Sequence, residues 1–127
     1  MSLILAVDDE ADILLIIGVI LRKYGHEVLE ATSGENALEI LDRERPDAML
    51  LDIRMPGIDG LEVLERLRDA RRLASLPVIM LSAYSNPSMV ERAREIGCKG
   101  FVTKPFFPDQ LAAALEEVLR AGASPAA

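Results

Sequence analysis

LILAVDDE, at residues 3–10, sets five apolar residues directly before three acidic ones. A short apolar run of this kind is typical of a strand that is buried on both faces of a parallel sheet. Two more such runs end at a charged residue: Ala48–Leu51 precedes Asp52, and Gly100–Thr103 precedes Lys104. Because ligands bind at the carboxyl edge of an open parallel α/β sheet, we expect these charged residues to form a functional site there.

Short apolar runs alternate with longer amphipathic stretches five times, which predicts a doubly wound α/β fold built from βα repeats. The predicted strands are Leu3–Val7, Glu27–Ala31, Ala48–Leu51, Val78–Leu81 and Gly100–Thr103. The predicted helices are Ala11–Tyr24, Glu35–Arg43, Gly60–Asp69, Ser88–Ile96 and Asp109–Ala121. Gly25 and Gly97 are suited to close helices, and Ser33 is suited to begin one. We predict one domain over residues 1–121, followed by a flexible tail or the start of a linker over residues 122–127.

The composition is that of an ordinary globular domain and argues against several classes of protein. A chain of 127 residues can bury a core without disulfides, and its single cysteine, Cys98, cannot form one within the chain. The net charge of −7 disfavours direct binding to nucleic acid, which depends on cationic contacts. One basic cluster lies at a predicted helix end, where it complements the helix dipole: Arg66, Arg68, Arg71 and Arg72. With no secretory leader and no apolar run of membrane length, we expect a cytoplasmic protein without a membrane segment.

Three carboxylates, from Asp8, Asp9 and Asp52, converge at the predicted edge and would repel one another without a cation. Hard oxygen ligands with room for water suit Mg²⁺. With Lys104 nearby, the site can hold a phosphoryl group, which a carboxylate can attack to give an acyl phosphate. Each residue alone has a simpler interpretation, because an aspartate can cap a helix or turn and a lysine is usually solvated. Together they favour aspartyl phosphotransfer.

Four motifs follow one another in order: VDDE at 7–10, LLDIRMPGIDG at 50–60, MLSAY at 80–84 and FVTKPF at 101–106. With them the chain closely resembles the receiver domain of two-component response regulators, from about Leu3 to about Arg120. The resemblance implies a flavodoxin-like (βα)5 fold whose five parallel strands lie in the order 2-1-3-4-5. It also implies a phosphorylation-activated signalling switch of a phosphorelay, rather than a conventional enzyme.

The resemblance assigns roles to the residues of the acidic edge. Asp52 matches the phosphoacceptor, Asp9 a direct ligand of Mg²⁺ or Mn²⁺, and Asp8 an acid that reaches the metal through water. The further expected ligands are Asp52 itself and the backbone carbonyl of Arg54. Lys104 matches the lysine that pairs first with the acids and then with the phosphoryl group, and its bond to the following proline is expected to be cis.

Two residues match the conformational switch of the family. Ser82 corresponds to the switch hydroxyl and Phe101 to the switch aromatic, although Phe101 lacks the hydroxyl that many members carry. The positions expected to tune the lifetime of the phosphoryl group are Arg54 and Tyr84.

The implied partner is a sensor histidine kinase or phosphotransfer protein whose phosphohistidine supplies the phosphoryl group, and the receiver itself catalyses transfer to Asp52 and its later loss. A monomer or a phosphorylation-dependent dimer is expected, with an output protein or fused output domain that the residues do not identify.

An aspartate-nucleophile phosphatase is disfavoured because strand 1 ends in DDE without the Asp-x-Asp of that superfamily. A nucleotide binder lacks its glycine-rich turn or P-loop. A pseudo-receiver would lack a pocket residue.

The first predicted helix is more apolar than one buried face requires. Its expected core side consists of Ile13, Ile16, Ile17, Ile20 and Leu21. Leu15 and Val19 are then expected to face outward, beside Asp12 and Arg22, where the family presents this helix to the helical bundle of the kinase. His26, between this helix and the next strand, is expected to be a surface residue.

Overall fold

The computed structural model describes residues 2–83 and 86–123, which alternate strictly between strand and helix. The strands are β1 (Leu3–Val7), β2 (Glu27–Ala31), β3 (Ala48–Asp52), β4 (Val78–Ser82) and β5 (Gly100–Thr103). The helices are α1 (Ala11–Lys23), α2 (Gly34–Leu41), α3 (Gly60–Asp69), α4 (Pro87–Ile96) and α5 (Pro108–Ala123). Within these residues, no helix has both the length and the apolar character needed to cross a bilayer.

All five strands are parallel and lie in the order β2-β1-β3-β4-β5, which confirms the predicted fold and strand order. Val7 of β1 pairs in register with Leu51 of β3, so the residues that follow them emerge side by side. Asp52 pairs with Leu81, and Ser82 pairs with Thr103 on β5. The ends of β1, β3, β4 and β5 therefore form one continuous edge.

The core has two layers, one on each face of the sheet. Alternate residues of β3 show the division: Met49 and Leu51 pack with α2, α3 and α4, while Ala48 and Leu50 pack with α1 and α5. Every residue of β3 and β4 is buried. A strand covered on both faces needs apolar side chains at every position, which explains the unbroken apolar runs in the sequence.

Side-chain caps begin three of the helices. Ser33 accepts a hydrogen bond from the backbone N–H of Asn36 at the start of α2, as predicted. Asp59 and Asn86 begin α3 and α4 in the same way, and neither cap is in the sequence prediction. Gly97 closes α4 with a φ of 135°, a left-handed conformation that favours glycine.

Several strands and helices begin or end a few residues away from their predicted bounds. Both β3 and β4 are one residue longer, so Asp52 and Ser82 are the last residues of their strands. Helix α2 ends at Leu41 rather than at Arg43. Helix α5 continues to Ala123, two residues into the range assigned to the tail, and residues 124–127 lie outside the described part.

Three side chains depart from the sequence prediction. Ile16 is 49% exposed rather than core, and the buried position is Leu14, because Leu14, Ile17 and Leu21 share one face at spacings of three and four. His26 is half-buried, and its Nδ1 atom is fully buried. Arg72 lies beyond α3 and donates instead to the carbonyl of Leu41 at the end of α2.

Candidate functional site

Four charged or hydroxyl residues meet at the carboxyl edge of the sheet. Asp8 follows β1, Asp52 ends β3, Ser82 ends β4 and Lys104 follows β5. Three of them are buried: Asp8 is 0% exposed, and Asp52 and Ser82 are nearly as inaccessible. Strand order alone brings these residues together, because β1, β3, β4 and β5 are consecutive neighbours in the sheet.

Lys104 is the centre of the charge arrangement. Its Nζ atom lies 2.5 Å from Oδ2 of Asp8, 3.4 Å from Oδ2 of Asp52 and 4.0 Å from Oε1 of Glu10. The side chain is only 10% exposed, so the ammonium group replaces its lost water with carboxylate partners. One cation is thus shared by two buried acids, which leaves one negative charge of the pair uncompensated.

Backbone contacts hold these side chains in position. Oδ1 of Asp8 accepts from the N–H of Glu10 at 2.9 Å, and Oδ1 of Asp52 accepts from the N–H of Arg54 at 3.4 Å. The N–H of Lys104 donates to the carbonyl of Ser82 at 2.7 Å. Asp8 therefore fixes the β1–α1 turn and also binds Lys104. It serves both as a turn cap and as a member of the acidic pocket. The Lys104–Pro105 bond is cis, as expected.

Burial and charge shift the titration of two groups. Burial raises the pKa of Asp52 from 3.8 to about 6, although the positive charge of Lys104 opposes the shift. Burial by itself lowers the pKa of Lys104, but its hydrogen bond to Asp8 and the charge of Asp52 outweigh that, and the pKa ends above its ordinary value. A further cation beside Asp52 would favour the ionised carboxylate.

Asp8, Asp9 and Glu10 form a metal-compatible cluster: their carboxylate oxygens lie within 4.8 Å of one another. Asp9 and Glu10 are exposed, so water can reach the cluster. Asp52 is not a member of this group among the described residues; its carboxylate is engaged by Lys104 instead. The sequence prediction does not include Glu10, although its place directly after two acids is a signal that could have found it.

The expected switch residues lie on the two strands next to this pocket. Phe101 is half-buried on β5 and packs against the core layer of α2, α3 and α4. It pairs in register with Met80, two residues before Ser82 on the neighbouring strand. Side chains two residues apart share a face of the sheet, so Ser82 and Phe101 face the same side. Arg54 is exposed, and Tyr84 lies outside the described residues.

Gly60 allows the loop after Asp52 to fold back against the strand. Its N–H donates to the carbonyl of Ile53 at 2.8 Å. A Cβ atom at this position would lie 2.3 Å from the carbonyl oxygen of Asp52, closer than side chains approach backbone. Glycine at the first residue of α3 is therefore a requirement of the backbone next to the acidic pocket.

Comparison with known proteins agrees with this geometry. The sequence model of the response regulator receiver domain matches residues 4–116, and the chain belongs to that family. Members are signalling domains of two-component systems that are phosphorylated on an aspartate and that interact with histidine kinases or phosphotransfer proteins.

Individual relatives are of two lengths. Sporulation initiation phosphotransferase F of Bacillus subtilis is 34% identical, and the match covers 91% of this chain and 92% of that protein. The phosphate regulon transcriptional regulatory protein PhoB of Pseudomonas aeruginosa is 39% identical, over 92% of this chain and 51% of the regulator. The chain thus spans about half the length of the transcriptional regulators that it matches.

Solved structures share the whole fold. The chemotaxis protein CheY4 of Vibrio cholerae superposes with a TM-score of 0.87 at 30% identity, covering 93% of this chain and 98% of that one. A receiver domain protein of Methanospirillum hungatei superposes with a TM-score of 0.89 at 28% identity, covering 96% of each chain.

Proposed function

We propose that Asp52 is the residue that accepts the phosphoryl group. The observation that carries this proposal is the position of Asp52, which ends a buried strand and shares the Lys104 ammonium with Asp8. An oxygen of the Asp52 carboxylate attacks phosphorus, the bond between phosphorus and the donor atom breaks, and the leaving group keeps the electron pair. The product is an acyl phosphate on Asp52.

The acidic cluster supports a bound Mg²⁺ or Mn²⁺. Oxygens within 4.8 Å of one another can face a common hard cation, and two of the three carboxylates are open to water. Asp9 and Asp52 would bind the metal directly together with the backbone carbonyl of Arg54, and Asp8 would bind through water. The ion supplies compensation for the charge of the phosphoryl oxygens.

Lys104 supplies the second positive charge. Its Nζ atom lies between the acids and is nearly enclosed, so it can exchange a carboxylate partner for a phosphoryl oxygen with little movement. The same groups support hydrolysis of the acyl phosphate by the domain itself. We propose that two side chains set its lifetime: Arg54 and Tyr84.

Ser82 and Phe101 are proposed to convert phosphorylation into a conformational change across the neighbouring strands β4 and β5. The buried Ser82 hydroxyl shares a sheet face with the half-buried ring of Phe101, so movement of one changes the space beside the other. Ser82→Ala should still accept phosphate while its amide chemical shifts near Phe101 respond less to beryllofluoride than those of the wild type. Equal responses in the two proteins would refute the coupling.

The proposed donor is a phosphohistidine on a sensor histidine kinase or a phosphotransfer protein, which dock against α1. Leu15, Ile16 and Val19 are 64%, 49% and 60% exposed and form a stripe that an apolar helix can cover.

We place this function in the cytoplasm, with the domain monomeric or dimerising on phosphorylation. The half-length match to transcriptional regulators leaves a free-standing domain and the receiver part of a longer protein as the two forms to distinguish.

Acetyl phosphate tests the acceptor chemistry without a partner protein. Intact-mass measurement should show one added phosphoryl group in the presence of Mg²⁺ and none in EDTA. Asp52→Asn should abolish the gain, whereas Asp42→Asn, at an exposed position outside the site, should retain it. A gain of equal size in Asp52→Asn would overturn the proposal.

A further inference from the structure

A second concave surface lies at the opposite edge of the sheet, about 16 Å from the acidic pocket along five-residue strands. This groove has a volume of about 700 Å³ and runs below the amino ends of β1, β2, β3 and β4. Its polar lining includes His26, Arg45, Asp47, Arg72 and Arg120. Leu76, Pro77 and Leu119 add apolar surface.

Two of the arginines converge on a single oxygen. Nη1 of Arg45 and Nη1 of Arg72 donate to the carbonyl of Leu41, at 3.1 Å and 2.9 Å. The two nitrogens therefore lie within about 6 Å of each other. Neither guanidinium forms an ion pair with any described carboxylate. Two like charges thus share one backbone carbonyl, and no described carboxylate lies within ion-pair distance of either to compensate their repulsion.

The acids of the groove are already engaged. Oδ2 of Asp47 accepts from the N–H of Leu3 at 2.8 Å, and Glu116 lies 3.9 Å from Arg120. Neither acid forms an ion pair with Arg45 or Arg72, and three arginines against two carboxylates leave the lining with a net positive charge.

His26 lines the same groove, and its side chain is half-buried. Its Nδ1 atom is buried and has no hydrogen-bond partner among the described residues. A buried polar atom without a partner is costly, and such atoms are normally satisfied by water, an ion or a ligand. Because this nitrogen is closed to the groove, the groups that face a ligand are the two guanidinium groups, which have no ion-pair partner among the described residues, with the ring of His26 beside them.

We propose that this groove binds a small phosphomonoester through Arg45 and Arg72, beside the ring of His26. A phosphomonoester carries two negative charges near neutral pH, which matches two guanidinium groups, whereas one carboxylate would neutralise only one of them. The volume is far larger than a phosphate group, so an organic part of nucleoside size fits beside the apolar lining.

The simpler interpretation is that Arg45 and Arg72 only satisfy the last carbonyl of α2. One donor is sufficient for that task, whereas two guanidinium groups converge on the same oxygen. A binding experiment distinguishes the two interpretations directly.

His26 is the only histidine of the chain, so its ring signals report on the groove without overlap in an NMR titration. We would titrate the full chain in EDTA with AMP, inorganic phosphate, adenosine or succinate. AMP should produce a saturable shift of the His26 ring and of amides near residues 45–47 and 72–77. Inorganic phosphate should bind more weakly, and adenosine and succinate should leave the ring signals unchanged.

Variants test the arginines. Arg45→Gln and Arg72→Gln should each weaken AMP binding by about tenfold or more, since each removes a charge-assisted contact. Each keeps the other arginine on the Leu41 carbonyl, so α2 remains capped, and an unchanged amide spectrum away from the groove verifies the fold. Arg43→Gln, at an exposed residue outside the groove, should bind as the wild type does.

The absence of a saturable His26 shift with AMP and with inorganic phosphate at millimolar concentration would overturn the proposal. So would undiminished AMP binding in both arginine variants. Equal binding of succinate would show a general anion site and would overturn the assignment to phosphomonoesters.

Discussion

At the scale of a single residue, the proposed chemistry of Asp52 and its burial have opposite effects on its ionisation. A nucleophilic carboxylate must be ionised, yet burial raises its pKa to about 6. Lys104 opposes the effect of burial without cancelling it. The metal-free pocket is therefore unfavourable for the charge that the chemistry needs, and a bound cation would relieve exactly that deficit of positive charge.

The raised pKa predicts how stability depends on pH. Because the folded pKa of Asp52 exceeds the unfolded value of 3.8, its contribution is fully present below about pH 3.8 and is lost as the pH rises through about 6. Asp52→Asn, measured by urea unfolding in EDTA, should therefore be more stable than the wild type above pH 6, by up to about 3 kcal/mol. At pH 4 the two proteins should differ little.

The exposed control Asp42→Asn should follow the wild-type pH profile. An Asp52→Asn protein whose stability runs parallel to that of the wild type from pH 4 to pH 7 would contradict the effect of burial.

The sequence predicts the location of a site residue when that residue lies at the end of a strand, because the strand order then determines its neighbours. Asp8, Asp52 and Lys104 follow or end apolar runs, so their meeting at one edge follows from a parallel sheet. Glu10 joins the cluster through the turn at the start of α1, and the buried nitrogen of His26 depends on packing between several strand ends. Neither effect has a periodic signal in the sequence.

At the scale of one element, the start of α3 depends on glycine. A Cβ at Gly60 would meet the backbone oxygen of Asp52, which cannot move away without displacing β3. A Cβ at Gly18, inside α1, would meet the end of the flexible Arg22 side chain at 2.7 Å and the Oε2 atom of Glu30 at an ordinary contact distance of 3.5 Å. The same substitution should therefore have opposite effects at the two positions.

We predict that Gly60→Ala destabilises the domain by about 1–3 kcal/mol and that Gly18→Ala stabilises it by up to about 1 kcal/mol. Chemical denaturation of the two variants beside the wild type provides the measurement. A Gly60→Ala protein as stable as Gly18→Ala would show that the loop after Asp52 tolerates a side chain.

Helix α1 shows what periodicity can and cannot predict. The outward positions of Leu15 and Val19 agree with the sequence prediction, since both are largely exposed. The assignment of Ile16 to the core is wrong, because this helix has apolar residues on several faces and only packing against the sheet and α5 selects the buried one. The exposed apolar stripe is consequently wider than the sequence indicates.

The exposed apolar stripe on α1 predicts that a charged side chain introduced there weakens recognition of the partner. Leu15→Asp should slow phosphotransfer from the cognate kinase or phosphotransfer protein by about tenfold or more, while labelling by acetyl phosphate stays unchanged. Tyr24→Asp is the matched control at the other end of α1: Tyr24 is as exposed as Ile16, at 49%, and should transfer normally. Loss of acetyl phosphate labelling as well would mean that Leu15 supports the fold.

At the scale of the whole molecule, topology creates the site. Asp8 and Lys104 are 96 positions apart in sequence, yet the order β2-β1-β3-β4-β5 brings them into contact. The fold was predictable because each strand and helix has its own apolar period, and the family resemblance implied the strand order. The groove at the opposite edge was not, because its residues come from turns and helix ends whose side chains follow no common pattern.

Chemical mapping of the phosphorylated residue tests the central claim most directly. The protein is labelled with acetyl phosphate and Mg²⁺, the acyl phosphate is reduced with borohydride, and the peptides are sequenced by mass spectrometry. Reduction converts a phosphorylated aspartate to homoserine, so we predict homoserine at position 52 and unmodified aspartate at Asp8 and Asp9. Homoserine at Asp8 or Asp9, with position 52 unchanged, would contradict the assignment of Asp52 as the phosphoacceptor.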